Sequence, residues 1–177
     1  KEKATAWSEF VAESTLPPET CEVAAVGYGV AVGDDVEVYL DINADEHEVL
    51  RKFWFFVNIA KTCGGKLLSF NGHKFDLPML TRRSWVKGIE PQYLMTKYRK
   101  FEDCCEDALE YWQLGGGWGG SIKLDRLAQL LGVHRKLEGM DGSMFHKVLV
   151  TDPARAAEYL ESDILSLAEV AKRLGMV

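Results

Sequence analysis

The sequence predicts an α/β fold with a mixed sheet and flanking helices, and three observations support it. Two strand-like runs joined by a turn lie at residues 21–42 and predict a β-hairpin. An amphipathic helical pattern follows at 44–65, and the short apolar run "KLLSF" comes directly after it. Strands that alternate with helices in this way indicate an α/β sheet. The length of 177 residues favours one domain over two.

The composition is that of a folded protein, and it limits the classes of function. Hydrophobic residues make up 47% of the chain and charged residues 27%, which excludes a disordered chain. The net charge of −6 argues against a protein that coats nucleic acid through a broad basic surface, and leaves room for a local basic patch. Four cysteines without C-x-x-C spacing predict neither a zinc site nor a disulfide framework. No apolar run approaches the ~20 residues that span a bilayer, so we predict a cytoplasmic protein with no membrane partner.

The first half of the chain is predicted to contain a helix, a hairpin and a second helix. The first helix covers residues 3–15 and ends at "TLPPET", because consecutive prolines cannot continue it. "CEVAAVGYGVAV" and "VEVYLDI" are the hairpin strands, joined by the turn signal "GDD". The helix in "ADEHEVLRKFWFFVNIAKTCGG" begins among acidic residues and ends at Gly64 and Gly65, which are typical start and stop signals.

The second half is predicted to contain one more strand and then mostly helices. We interpret "KLLSF" as a short buried strand, "DLPMLTRRSWVKG" as a helix ending at Gly88, and "EDALEYWQL" as a further helical stretch. "GGGWGG" is expected to be a flexible loop, and the helix in "SIKLDRLAQLLGV" has Ser121 as a candidate cap. The last helix has the clearest limits, with Asp152 as N-cap, Pro153 in the first position and Gly175 at its end.

Tyr159 and Asp163 are one candidate pair for chemistry, because they lie four residues apart in the last helix. That spacing places both side chains on one face, a single turn apart. Ile164 and Leu167 continue this face as apolar surface, and a carboxylate beside buried surface is costly unless a charge or a hydrogen-bond donor meets it. The spacing also fits a simpler arrangement, in which Asp163 lies in water at the edge of the apolar stripe and the Tyr159 hydroxyl is exposed.

"SFNGHKFDLPML" at residues 69–80 contains a second candidate carboxylate, Asp76. It follows a predicted strand and the pair Asn71-Gly72, and it stands where a helix begins. Two interpretations stay open. Asp76 is part of a metal site, or it is an N-cap, with Pro78 in the first turn, that stabilises the helix by ~1 kcal/mol.

These two segments carry a resemblance to a known family. "FNGHKFDLPML" followed downstream by "YLESDILSLAEVAKRL" resembles the second and third motifs of the DEDD 3′→5′ exonucleases, which have a ribonuclease H-like fold. The tyrosine four residues before Asp163 is similar to the tyrosine subclass, since the histidine subclass would have His where Glu158 stands. The chain most resembles the predicted exonucleases related to the proofreading domain of family B DNA polymerases. That resemblance also covers "VAAVGYG", "DALEYWQ" and "SIKLDRLAQLLGV".

The resemblance implies a ribonuclease H-like mixed sheet and a metal-dependent 3′→5′ exonuclease. In such enzymes four carboxylates hold two divalent cations, Mg²⁺ or Mn²⁺, which activate the attacking water and stabilise the leaving 3′-oxygen. The resemblance implies that Asp163 binds one ion directly, that Asp76 binds the other directly or through water, and that Tyr159 orients the attacking water. Asn71 and Phe75 would line the cleft, with Phe75 stacked on a terminal base. The implied partner is a single-stranded 3′ end, with DNA favoured over RNA.

The sequence departs from the family at the first motif, a D-x-E on the first strand. No strand before "CEVAAVGYGV" carries it, and the literal D-x-E at Asp35-Val36-Glu37 lies at the hairpin turn, where we do not expect it to substitute. The helix-like start without an initiator Met predicts that residues 1–177 are a single, N-terminally truncated domain and that the motif lies upstream. With Asp76 and Asp163 alone, we expect little or no nuclease activity from this chain. Genuine loss of the motif is the alternative, and it would leave an inactive module that binds nucleic acid or protein.

A basic stretch with interleaved aromatic residues offers a second binding surface. It begins with Arg82 and Arg83 on the helix that follows Asp76. Such a patch can bind phosphates and stack bases, and a solvated helix face explains the same pattern equally well. The other members are Lys87, Lys97, Arg99 and Lys100, with Trp85, Tyr93 and Tyr98 between them.

Two further polar residues are predicted not to take part in the chemistry. His73 lies inside the second motif, but the family does not use that position as a metal ligand, and the four histidines show no ligand spacing. Asp107, in "DALEYWQ", matches an acidic position of the family for which we predict a structural role.

Overall fold

The computed structural model of the protein is a mixed α/β structure, which confirms the predicted class. The chain is described over residues 18–32, 34–42, 45–91, 104–114, 122–133, 140 and 142–177. Within these residues it forms four strands, six α-helices and one short 3₁₀ helix. Five predictions lie outside them: the helix over 3–15, the loop "GGGWGG", the cap Ser121, the basic residues Lys97, Arg99 and Lys100, and the aromatic residues Tyr93 and Tyr98.

The predicted hairpin is present and antiparallel. Strand β1 is Ala25–Val32 and strand β2 is Asp35–Ile42, and the two pair along their whole lengths. Alternate side chains of each strand point to opposite faces of the sheet. The hairpin therefore has two faces, and a different helix packs on each.

Helix α1, Glu46–Thr62, packs on one face of the hairpin. It begins after the N-cap Asp45 with acidic residues in its first turn, as predicted. The ring of Phe56 contacts two aromatic rings of the hairpin, Tyr28 at 4.2 Å and Tyr39 at 6.1 Å between centroids. Tyr28 and Tyr39 thus mark the face of the sheet that α1 covers.

The C-terminal helix, α6, spans Pro153–Leu174 and has the predicted limits. It packs on the opposite face of the hairpin. The side chain of Asp152 accepts the Arg155 N–H at 3.1 Å as N-cap, and Gly175 ends the helix in the left-handed conformation.

Two glycines let α6 approach β1 closely. A Cβ atom on Gly27 would lie 2.6 Å from Ile164 Cδ1, and one on Gly29 would lie 2.8 Å from both Ile164 Cγ2 and Val36 Cγ1. These distances are well inside the optimal separation of carbon atoms. Because Ile164 directly follows Asp163, this contact also fixes where Asp163 lies along the axis of β1.

Replacing Gly29 with alanine is expected to lower the free energy of unfolding by about 1–3 kcal/mol, because overpacking forces Val36 and Ile164 away from their preferred rotamers. Urea denaturation measures the change. Gly142→Ala is the matched control, since none of the described atoms lies within 4 Å of its added Cβ, and it should change stability by no more than about 0.5 kcal/mol. Equal stability of the Gly29 variant and the wild type would contradict the close packing of α6 on β1.

A second, parallel pair of strands follows α1. Strand β3 is Leu67–Ser69 and strand β4 is Cys105–Asp107, and helix α2, Asp76–Val86, lies between them in the chain. β3 is half-buried rather than fully buried as predicted. Two of the three β4 residues, Glu106 and Asp107, fall in the stretch for which the sequence predicts helix, and the short helix α3, Ala108–Gln113, begins only after Asp107. The three residues of β4 become a strand by pairing with β3, a distant contact that local sequence does not reveal.

One hydrophobic core joins both strand pairs to α1 and α2. Val26 of β1 and Leu67 of β3 pack against it, and Cys105 of β4 belongs to it. Trp54 of α1 and Ser84 of α2 add a buried hydrogen bond of 2.7 Å. The other buried members come from α1 and α2: Leu50, Phe53, Val57, Leu77 and Leu80.

Strands β1 and β3 each keep one edge that no described strand pairs with. β1 pairs with β2, β3 pairs with β4, and the two pairs are separate sheets. Val26 of β1 and Leu67 of β3 pack against the same core. Within the described part of the chain, the two strand pairs therefore share a core but not a strand ladder.

Three further segments complete the described structure. Helix α4, Leu124–Leu131, begins after Lys123, which makes no side-chain capping hydrogen bond. The predicted cap Ser121 also lies outside the described residues. Helix α5, Phe145–Thr151, follows the 3₁₀ turn Gly142–Met144. α4 packs on α6 through a second buried cluster, formed by Leu124, Leu127, Ala128 and Val170.

None of the four cysteines forms a disulfide. Within the ranges that the structure describes, none of the helices combines the length and the apolar character needed to cross a bilayer.

Candidate active site

The segment between β3 and α2, residues 70–75, is a tight turn that leads into Asp76; we call it the β3–α2 loop. Asn71 takes the left-handed conformation, with φ at 61°, which asparagine tolerates better than most residues. The Asn71 carbonyl accepts the Phe75 N–H at 3.1 Å and the Lys74 N–H at 3.3 Å. These hydrogen bonds wind the loop directly into the first turn of α2.

Gly72 lies against the end of β3, where a side chain has no room. A Cβ atom there would lie 2.4 Å from both Cβ and Oγ of Ser69. The same position is 3.5 Å from Asp76 Oδ2, so the Asp76 carboxylate is directed back toward the loop. A glycine at position 72 is therefore what allows the loop, β3 and Asp76 to come together.

Asp76 is the first residue of α2 and not its N-cap. The N-cap position belongs to Phe75, which makes no side-chain capping hydrogen bond. The Asp76 side chain is exposed and lies in the first helical turn, where the helix dipole favours a negative charge. The N-cap interpretation of Asp76 is therefore wrong, and the metal-site interpretation stays a prediction.

Helix α6 presents Tyr159 and Asp163 one turn apart. Tyr159 is 5% exposed, and its ring centroid lies 6.2 Å from that of Phe145 in α5. Asp163 is half-buried, and its Oδ1 atom has almost no contact with solvent. The simpler arrangement, with both polar groups in water, does not describe this helix.

Packing joins the β3–α2 loop to the hydrophobic cluster that α4 and α6 share. Phe70, the first residue of the loop, packs against the cluster that α4 and α6 form, and so does Leu167 of α6. Leu167 lies one turn after Asp163, and Asn71 directly follows Phe70. The two sequence segments that carry the candidate residues are therefore parts of one packed unit.

Of the other predicted binding residues, two are accessible and one is not. Phe75 is 48% exposed, and Arg82 is exposed on α2. Arg83 is 5% exposed, because its Nε and Nη2 donate to the two oxygens of Glu46 at 2.8 and 2.6 Å. Its Nη1 donates to the Pro18 carbonyl at 2.8 Å. The prediction that Arg83 binds nucleic acid is therefore wrong, since successive helical residues point about 100° apart and Arg83 falls on the buried face.

Asp107 contacts the β3–α2 loop from the end of β4. Its Oδ1 accepts the Asn71 N–H at 2.8 Å and the Leu109 N–H at 3.0 Å. Its Oδ2 accepts the His73 N–H at 3.1 Å, and the side chain is 4% exposed. These contacts agree with the structural role predicted for Asp107.

His73 and Glu110 add a second contact between the loop and α3, with His73 Nδ1 2.9 Å from Glu110 Oε2. Ligand atoms of His73, Asp107 and Glu110 all lie within 4.8 Å of one another, a spacing that metal sites also show. Both Asp107 oxygens already accept backbone N–H groups, so the geometry is that of a hydrogen-bonded network. Sequence reasoning missed the network because 37 positions separate His73 from Glu110. The one feature of the sequence that points to this network is the pair of acids Asp107 and Glu110, three residues apart at the start of a helix.

The D-x-E in the hairpin lies on the wrong face of the sheet to join Asp163. By strand alternation, Asp35 and Glu37 share the face of Tyr39, which α1 covers. Glu37 Oε2 accepts the Tyr39 hydroxyl at 2.7 Å on that face. The residue between the two acids, Val36, is the one that faces α6. This position agrees with the expectation that the hairpin acids do not replace the first motif.

The chemistry of the candidate donors suits a divalent cation, but their number falls short of two ions. Asp76 and Asp163 offer carboxylate oxygens, the ligands that Mg²⁺ and Mn²⁺ prefer. Two further acids, Asp107 and Glu110, are engaged with the β3–α2 loop and α3.

Comparison with known proteins agrees with the resemblance drawn from the motifs. No curated protein is significantly similar to the chain. A family model, described as a predicted 3′-5′ exonuclease related to the exonuclease domain of PolB, matches residues 16–167. The match spans most of the chain and includes the β3–α2 loop, Tyr159 and Asp163. The chain therefore belongs to this family of predicted 3′→5′ exonucleases.

Proposed function

We propose that the chain is the larger part of a ribonuclease H-like 3′→5′ exonuclease domain that hydrolyses terminal phosphodiesters of nucleic acid with two divalent cations. Membership of a predicted exonuclease family supports the reaction class. The observation that carries the proposal is the packing of α6, the helix of Tyr159 and Asp163. It packs on β1 through Ile164 and shares a hydrophobic cluster with Phe70, the first residue of the loop that leads into Asp76. Tyr159, Asp163 and Asp76 are the proposed catalytic residues.

The edges of β1 and β3 support the further proposal that a strand from outside the described residues lies between them. Among the described strands, β1 and β3 each have one edge with no strand partner, and both pack against one core. A strand that entered there would pair with both edges. A D-x-E on such a strand would place both acids on one face of the sheet, and we propose that this is the face that α6 covers.

The described side chains have separate roles in the proposed reaction. Asp163 and Asp76 would hold the divalent cations through their carboxylate oxygens, together with the acids of the added strand. When bound, two such ions activate the attacking water and stabilise the leaving 3′-oxygen. The Tyr159 hydroxyl orients the water, since an unperturbed phenol pKa near ~10 makes tyrosine a better positioner than base at neutral pH.

The proposed substrate is a single-stranded 3′ end, with DNA favoured over RNA. The half-exposed ring of Phe75 next to Asp76 supports stacking on the terminal base. Asn71 lines the same loop, and Arg82 is accessible for a backbone phosphate. Arg83 is left out of this surface because Glu46 binds its guanidinium.

A second candidate function is favoured because the described residues include only two candidate metal-ligand carboxylates, Asp76 and Asp163. This function is an inactive module that binds nucleic acid or protein. If no acids join Asp76 and Asp163, the fold keeps its loop and its exposed Phe75 but cannot hold two ions. The sequence encoded upstream of Lys1 separates the two functions. A D-x-E on a predicted strand there supports the exonuclease, and its absence supports the binding module.

We expect the 177-residue chain alone to show little or no cleavage and the complete gene product to shorten single strands from the 3′ end. The reason is that the chain supplies two of the four acids that two cations need. The measurement follows a 5′-labelled single strand on a sequencing gel with Mn²⁺, where an exonuclease leaves a ladder of shortened products. A strand with a blocked 3′ end and a reaction with chelator are the controls.

Either result can go against the proposal. Robust Mn²⁺-dependent digestion by the 177-residue chain would show that it needs no added strand. An intact substrate after incubation with a complete gene product that contains the upstream D-x-E would rule out the exonuclease and favour the binding module.

A further inference from the structure

The carboxylate of Asp107 connects two segments of the chain that the candidate site depends on. Two of the backbone N–H groups that it accepts, those of Asn71 and His73, belong to the β3–α2 loop. The third, that of Leu109, belongs to the first turn of α3. Hydrogen bonds to a charged acceptor are roughly twice as strong as neutral ones, and this acceptor is buried. Asp107 therefore fixes the loop to a helix that is separate from α2.

A short series of backbone hydrogen bonds leads from Asp107 to Asp76. Asp107 holds the N–H of Asn71, and the carbonyl of Asn71 accepts the Phe75 N–H at 3.1 Å. The neighbouring carbonyl of Gly72 accepts the Leu77 N–H at 2.9 Å. These two carbonyls hold the residues on either side of Asp76.

The loop needs an anchor of this kind, because its own conformation is unfavourable. Asn71 is a non-glycine residue with positive φ, and Gly72 passes β3 too closely for any side chain. Such conformations persist only when surrounding contacts determine them, and they cluster at functional sites. The contact of His73 with Glu110 is a second, outer attachment of the same loop to α3.

We infer that Asp107 is a positioning residue of the proposed exonuclease, which sets the geometry of the β3–α2 loop and so of Asn71, Phe75 and Asp76. The inference rests on the proposed function. Asp107 itself touches neither the nucleic acid nor the reacting atoms. It acts through the main chain of Asn71 and His73.

The first test measures the loop itself and needs no activity. Asp107→Asn keeps the size of the side chain but turns one acceptor into an NH₂ donor that faces a backbone N–H. Hydrogen exchange of peptides from residues 70–77 should become at least ~10-fold faster, while exchange in α1 stays unchanged. Glu106→Gln is the matched control, because Glu106 lies on the same strand and pairs with Lys66 instead of the loop.

The second test measures catalysis by the complete gene product. A displaced Asp76 should lower kcat by about 10- to 100-fold, since misplacement by 1 Å can cost about 10²-fold. KM for the single strand should rise as well, because Asn71 and Phe75, the proposed substrate-binding residues of the loop, move together with Asp76. Glu106→Gln should leave both constants unchanged.

The outcomes separate this inference from the proposed function. Faster loop exchange with normal kcat, or unchanged loop exchange, overturns the positioning role of Asp107. If the wild-type gene product does not cleave at all, the proposed function fails, and with it any positioning role, while the exchange result alone still decides whether Asp107 holds the loop. If Asp107→Asn does not fold, Asp107→Ser replaces it, because serine keeps an N-cap acceptor for the Leu109 N–H but is too short to hold the N–H groups of both Asn71 and His73. That variant should speed exchange at residues 70–77 and lower kcat, and an unchanged loop or an unchanged kcat would overturn the inference.

Discussion

Replacing Arg83 with alanine is expected to lower the free energy of unfolding by about 3–5 kcal/mol, because the change leaves the Glu46 carboxylate buried without its main partner. Arg83 and Glu46 have side chains that are only 5% and 3% exposed, and their two-pronged ion pair joins α2 to α1. Lys87 Nζ, 3.1 Å from Glu46 Oε2, and the Val23 N–H, 2.8 Å from Oε1, remain and cannot replace two charged hydrogen bonds. Urea denaturation of the wild type and the variant measures the loss.

Arg51→Ala is the matched control for the buried pair. Arg51 forms an exposed pair with Glu48 on α1 at 3.0 Å, and exposed pairs contribute little to stability. The double variant Arg83→Ala, Glu46→Ala should lose less than the sum of the two single losses, since neither partner is left alone. A stability of Arg83→Ala equal to that of the wild type would show that Arg83 is not held by Glu46.

The same pair gives the stability a defined dependence on pH. Burial alone would raise the pKa of Glu46, but hydrogen bonds from Arg83, the Val23 N–H and Lys87 outweigh it and lower the pKa below its usual 4.5. A lowered pKa means that the contribution is fully present above pH 4.5 and is lost as the pH falls through the folded-state pKa. Arg83 stays charged over this range, because Glu46 raises the pKa of its guanidinium further. The Arg83 variant should therefore show a flatter loss of stability in acid.

Asp163→Asn in the complete gene product is expected to lower kcat by about 10³-fold. Loss of a direct metal ligand removes several kcal/mol of transition-state stabilisation, and each 1.36 kcal/mol is about tenfold in rate. The amide has nearly the same shape as the carboxylate, so the packing of Ile164 on β1 should be kept. Single-turnover cleavage of a labelled strand with Mn²⁺ measures the rate, and Mn²⁺ titration followed by electron paramagnetic resonance should show weaker binding.

Glu161→Gln is the control on the same helix, since Glu161 is exposed on α6 and should keep the wild-type rate. Tyr159→Phe separates water positioning from metal binding, because it removes only the hydroxyl. Its rate should fall while its Mn²⁺ affinity stays normal. Cleavage by Asp163→Asn at the wild-type rate would show that Asp163 is not a catalytic residue.

Elements whose ends are set by local chemistry could be predicted from the sequence. The N-caps Asp45 and Asp152 and the terminal Gly175 each act within one helical turn, so the limits of α1 and α6 follow from the residues themselves. β4 could not be predicted in this way, because its three residues are a strand only through their pairing with β3. The start of α4 at Lys123 also has no side-chain signal.

The candidate site shows the same division between local and distant causes. The spacing of Tyr159 and Asp163 on one helix face is local and was predicted correctly. The side of α2 that is buried depends on Glu46, which lies 37 positions before Arg83, so the accessible Arg82 and the buried Arg83 look alike in sequence. The hold of Asp107 on the β3–α2 loop is a contact of the same distant kind.

The edges of β1 and β3 that no described strand pairs with would, under the proposed function, link the assembly of this domain to its chemistry. A segment that entered between them would satisfy main-chain donors and acceptors on two sheets and would, in the same event, bring negative charge next to Asp163. Ions that require that charge would bind the finished sheet and not its precursor, and by mass action would stabilise only the former. Magnesium or manganese would then stabilise the folded domain as well as act as its catalytic cofactor.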